Sequence, residues 1–102
     1  MYYSPVDATN EIKKRLRNGG QVVFIQHSED RMCERHIDDQ EAVMALRSGA
    51  VRVSGELKDG EYRYKVESNL YGGIMVVVEI PEDNPNVIAI TAMSSKKRKR
   101  RS

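Results

Sequence analysis

Apolar residues in the first half of the chain recur at helical spacing, whereas in the second half they alternate or run together as they do in strands. Ala8, Ile12 and Leu16 return every four residues and predict a helix ending at Arg17. Ser4 suits its N-cap, Pro5 its first turn, and Asp7 a capping-box-like start, while Gly19-Gly20 stops it. Val22 to Ile25 follows as a short, fully apolar strand. Ser28 predicts the cap of a second helix running through Arg35. A break at His36-Ile37 precedes Asp38-Asp39-Gln40-Glu41, the acidic cap of a third helix with Ala42, Val43 and Leu46 as its buried stripe and Gly49 at its end. The pattern leaves open whether the second and third helices are separate or one kinked element.

Asp59-Gly60 is a preferred two-residue type I′ turn, and placing it sets a hairpin from Val51 to Ser68. One face then pairs Leu57 with Tyr62, Gly55 with Tyr64 and Val53 with Val66; the other pairs Lys58 with Glu61, Glu56 with Arg63 and Arg52 with Glu67. Tyr64 opposite Gly55 predicts a ring laid over a glycine. Tyr71-Gly72-Gly73 turns the chain into Ile74 to Val78, which has no wet face and reads as a central strand, and Val87 to Met93 forms the last one. The order α-β-α(α)-β-β-β-β predicts an α+β domain over residues 1–95, with two or three N-terminal helices packed on an antiparallel, curved sheet of four to five strands. Residues 96–102 are left as a disordered basic tail.

Charge changes this picture in one respect. The formal net charge is +2, yet removing the six tail bases leaves 11 of the 17 basic residues against 15 acidic ones, so the body is −4. Strong nucleic-acid binders usually carry positive charge on the folded surface, so any cationic site here must be local. Cys33, the one cysteine, cannot form an internal disulfide. The start Met1-Tyr2-Tyr3-Ser4-Pro5 does not resemble a signal peptide, and Ile74 to Val78 is far short of the roughly 20 apolar residues of a membrane helix. A cytoplasmic chain without a membrane segment is expected.

His27, then Asp30-Arg31-Met32, then Arg35-His36-Ile37, the acidic cap, Leu46-Arg47-Ser48-Gly49, Tyr62-Arg63-Tyr64, Val76-Val77-Val78 and Val87 to Thr91 form a series of short motifs. Over roughly residues 8–93 the series resembles the small prokaryotic family catalogued as domain of unknown function 4258. Such domains are similar in layout to the RelE and MqsR group of ribonuclease toxins. The resemblance implies a RelE-like fold, metal-independent RNA cleavage and an antitoxin protein as partner. His36 departs from the pattern, standing where the family usually has glycine after the arginine. Glycine would ease a positive φ there, and histidine tolerates one at greater cost.

His27, Arg31 and Arg35 are spaced four apart, so on a helix they share one side. Imidazole suits proton transfer near neutral pH, and guanidinium is a permanently charged fork for phosphate oxygens. These residue types match metal-independent cleavage of an RNA phosphodiester, with no cofactor. The ordinary structural account is that Arg31 and Arg35 pair with Glu34, Asp38 or Asp39, with His27 as a capping or strand-end residue. Lys65 faces only Ser54 in the hairpin register and is the freer outer-face cation, since Arg63 has Glu56. Lys96 and Lys97, just past the last strand, are the tail bases best placed to touch RNA on the sheet. A zinc site from His27, Cys33 and His36 lacks a fourth ligand, and Cys33 reads as a small core residue. Tyr62 and Tyr64 read as core. The alternative to a ribonuclease is a non-catalytic module that binds nucleic acid or a protein through the sheet and tail.

Overall fold

The computed structural model describes residues 2–94. Helix α1 (Pro5–Arg17) starts as its sequence dictates, with Ser4 Oγ accepting from the Asp7 N–H at 3.2 Å, and buries Ala8, Ile12 and Leu16. Strand β1 (Val22–Phe24) leads into α2 (Gln26–Glu34), and α3 (Asp39–Ser48) follows as a separate helix. Asp38 and Glu41 close a capping box on α3, the Glu41 N–H donating to Asp38 Oδ1 at 2.8 Å. The strands β2 (Ala50–Val51), β3 (Glu56–Lys58), β4 (Glu61–Ser68), β5 (Ile74–Glu79) and β6 (Val87–Ser94) complete the chain, giving an α+β fold with its helices N-terminal to the sheet.

The sheet runs β1-β6-β5-β4-β2, with β3 also paired to β4. It is mixed, because β1 lies parallel to β6, with Val22 opposite Val87 and Phe24 opposite Ala89. Extra curl comes from a bulge: Val77 faces Thr91 and Val78 faces Ala89, so Ile90 is the additional residue. Tyr64 and Val66 of β4, Ile74, Val76 and Val78 of β5, and Val87, Ala89 and Ala92 of β6 are buried with Ile12, Met32, Ala42, Ala45 and Leu46 from the helices.

The hairpin holds its expected register only near the turn, where Leu57 faces Tyr62 and Glu56 faces Arg63. Farther out, Val51 rather than Val53 meets Val66, and Ala50 rather than Arg52 meets Glu67. The expected strand is thus split into β2 and β3, and Val53 is left exposed. One contact enforces this slip, and a second keeps the expected ring over its glycine. The Val51 N–H donates to Thr9 Oγ1 of α1 at 2.8 Å, drawing β2 onto the helix. The Tyr64 ring covers Gly55 so closely that a Cβ there would lie 2.6 Å from Tyr64 Cε1. A shift of two residues keeps the same faces inward, so the core is preserved.

Candidate functional site

Helix α2 begins at Gln26, two residues before the expected cap. Ser28 is fully buried and its Oγ donates to Met32 Sδ at 3.7 Å, so it packs rather than caps, and no side chain bonds the first turn. His27 therefore sits inside the first turn. A four-residue step advances 400° around a helix, so successive members of the His27, Arg31, Arg35 series rotate by about 40° while rising about 6 Å. That drift explains their environments. His27 is exposed with no bonded partner among the described residues. Arg31 lies on the flank, and Arg35 turns in toward the sheet.

The arginines are differently held. Arg31 Nη1 meets Glu34 Oε2 at 3.1 Å, with both side chains largely exposed. Such a pair contributes about 0–1 kcal/mol and yields readily to a stronger anion. Arg35 Nη1 donates to the Ala92 carbonyl at 2.7 Å and approaches Thr91 Oγ1 at 3.4 Å. The reason lies in the sheet. Strand β1 covers β6 only from Val87 to Ala89, leaving the carbonyl edge beyond it open, and α2 with Arg35 closes that edge. The guanidinium keeps its Nε and Nη2 donors unspent among the described residues.

The C-terminus of α2 shows what the His36 departure does. His36 takes φ 57°, its N–H donates to the Cys33 carbonyl at 3.2 Å, and the Ile37 N–H donates to the Met32 carbonyl at 2.9 Å. This is a Schellman ending with histidine at the left-handed position, and buried Ile37 and Met32 join its hydrophobic side.

On the outer face of the sheet the expected partners are exchanged. Arg63 Nε pairs with Glu79 Oε2 at 3.2 Å, and Lys65 Nζ with Glu56 Oε1 at 3.8 Å. Arg63 and Glu79 stand directly opposite on β4 and β5, while Lys65 leans diagonally to Glu56 and so is not the free cation its opposite residue implied. Lys96 and Lys97 lie outside the described residues. Cys33 is exposed, not part of the core, and among the described residues no group of three His, Cys, Asp or Glu side chains is placed to hold a metal. Tyr64 is buried as expected, while half-buried Tyr62 meets Tyr2 edge-on with ring centroids 5.1 Å apart.

Sequence reasoning missed a second cationic feature. Lys13 and Arg17 of α1 and Arg47 of α3 surround a concavity of about 470 Å³ floored by Leu16. The i, i+4 spacing of Lys13 and Arg17 was visible, but the approach of Arg47 depends on how α1 packs on α3. No helix among the described residues is long and apolar enough to cross a membrane. Comparison with family models, with curated proteins and with solved structures returns no match.

Proposed function

We propose that this chain is a toxin-like, metal-independent endoribonuclease whose working face is the His27, Arg31, Arg35 column of α2. The observation that carries the reading is Arg35: one nitrogen anchors it to the Ala92 carbonyl, so the remaining donors are held in place without being used. A pre-positioned guanidinium stabilises charge developing on phosphate without reorganising during reaction. His27 removes the proton from a ribose 2′-hydroxyl, and that oxygen attacks the adjacent phosphorus. The bond from phosphorus to the 5′-oxygen breaks, leaving a 2′,3′-cyclic phosphate. The departing oxygen takes a proton from the imidazolium or from water, giving a 5′-hydroxyl. Arg31 and Arg35 neutralise the phosphorane. The resemblance of its short motifs to the domain-of-unknown-function 4258 family, which no family model matches, points the same way and implies an antitoxin protein as partner.

Incubating the chain with end-labelled RNA in EDTA tests this. Cleavage yielding 2′,3′-cyclic ends is expected, with loss in His27→Ala and strong reduction in Arg31→Ala and Arg35→Ala. Full activity in all three variants refutes the assignment. The second reading, binding without cleavage, is favoured by the column holding a single imidazole, since His36 sits at the far end of α2. RNA retained intact establishes that reading instead.

A further inference from the structure

We infer that the concavity between α1 and α3 is a phosphate-backbone site for single-stranded RNA, separate from the α2 column. Elsewhere on the described body, Arg15 pairs with Glu11, Arg31 with Glu34, Arg63 with Glu79 and Lys65 with Glu56. Lys13, Arg17 and Arg47 have no ion pair or hydrogen-bond partner among the described residues, and no carboxylate lines their cleft. Two other concavities differ in this respect. One, of about 330 Å³, sets Arg52 beside Glu67, and another, of about 410 Å³, sets Lys14 among Asp7 and Glu11. On a body whose net charge is −4 by sequence, three unopposed cations around one hollow are a local reversal of sign.

The competing explanation is that these residues only offset helix dipoles, because α1 ends at Arg17 and α3 at Ser48. The magnitudes decide against it. Each C-terminus carries about −0.5 charge, so two supply about −1 against three full positive charges, leaving about +2 to attract an anion. Leu16, 8% exposed, gives the hollow an apolar floor, which strengthens Coulomb attraction relative to open water. Volume and openness favour a strand over a compact ligand: about 470 Å³ is far larger than one phosphate, and Arg17 and Arg47 stand exposed at its rim. The six-base tail of the same chain fits a polyanionic partner as well.

Position matters too. The Arg35 end of the α2 column leads directly into the N-terminal end of α3, and Arg47 of the cleft lies in the last turn of α3. The ten residues of α3 span about 15 Å, the length of four or five stacked nucleotides at about 3.4 Å each.

The test is the salt dependence of binding. The full chain and its Lys13→Gln/Arg17→Gln/Arg47→Gln variant are titrated with fluorescent twelve-nucleotide 2′-O-methyl oligouridylate, which lacks the attacking hydroxyl, between about 50 and 300 mM salt. A matched control variant carries Lys14→Gln/Arg52→Gln/Lys58→Gln, three cations with carboxylates close by: Asp7 and Glu11, Glu67, and Glu61. Three single-strand phosphate contacts contribute about 0.7 each to the slope of log K against log salt, so the cleft variant should lose about 2 from that slope. The control should lose much less. Equal loss in both means bulk charge alone and overturns the proposal, as does an unchanged slope in the cleft variant. Tripolyphosphate saturating the Arg17 and Arg47 guanidinium NMR signals while the oligonucleotide leaves them unmoved also overturns it, by making the ligand a small polyphosphate. Because cleavage reports on the α2 column and the slope on the cleft, either reading fails without the other.

Discussion

Replacing His36 by glycine should stabilise the protein. At φ 57° an L-residue bears left-handed strain of about 1–2 kcal/mol, toward the low end for histidine. Glycine removes that strain but adds conformational freedom to the unfolded chain, which costs about 0.5–1 kcal/mol. The Schellman bonds from His36 and Ile37 are main-chain and survive the change. The net expected gain is a few tenths of a kcal/mol, about 0.5 at most, or a rise in Tm of roughly 1–4 °C for a domain of this size. Urea unfolding followed by far-UV circular dichroism should show a higher midpoint with an unchanged m-value. His36→Ala should be no more stable than wild type, since alanine keeps a Cβ and with it the left-handed strain. A His36→Gly protein no more stable than wild type, or an alanine variant more stable, refutes the argument. RNA cleavage should be unaffected by His36→Gly, because His36 lies off the His27 column.

Burial pushes the Tyr64 phenol above its usual 10.0, opposed by the Tyr3 N–H donating to its oxygen and raised slightly further by Tyr2, Tyr3 and Tyr62. The unfolded phenol ionises first, so the stabilisation is fully present below pH 10.0 and is lost as pH rises toward the folded value. Denaturant midpoints should therefore fall more steeply above pH 10.0 for wild type than for Tyr64→Phe, which at neutral pH should be about 1 kcal/mol less stable for want of that bond. Gly55→Ala should lose about 1–3 kcal/mol in thermal melts, because the new methyl meets a buried ring that has no room to yield. Asp38→Ala should lose about 1 kcal/mol by opening the capping box of α3. Arg35→Ala should lose about 1–3 kcal/mol by orphaning the Ala92 carbonyl, while Arg35→Lys should recover most of that stability but not RNA cleavage.

Local signals carried most of the fold. Caps at Ser4 and Asp38, the Asp59-Gly60 turn and the apolar run at Ile74 each act within a few residues, and each appears where its chemistry places it. What escaped reading depends on contacts between distant segments. The break between β2 and β3 is fixed by Thr9, 42 residues from Val51, and no pattern inside the hairpin announces it. Ser28 has the composition of a cap but the position of a core residue, because β1 ends early enough for the helix to start at Gln26. The same limit applied to charge. Arg35 and Lys65 found partners on other strands, whereas Arg47 met Lys13 and Arg17 only through helix packing.

That redistribution of partners bears on which side of the molecule a polyanion approaches. The outer sheet face carries Arg63 and Lys65, but Glu79 and Glu56 already oppose them, and Glu67 adds a further negative charge. A phosphate arriving there must displace carboxylates and lie near those it displaces. Around the helical layer, the three cleft cations have no carboxylate to displace, Arg31 is held only by an exposed pair, and Arg35 is fixed through a neutral carbonyl. Exposed ion pairs are weak, whereas a carboxylate left beside a bound phosphate repels it for as long as the complex lasts. Under the proposals above, a polyanion approaches the helices and not the open sheet, because only there does it meet cations without displacing a carboxylate it must then lie beside.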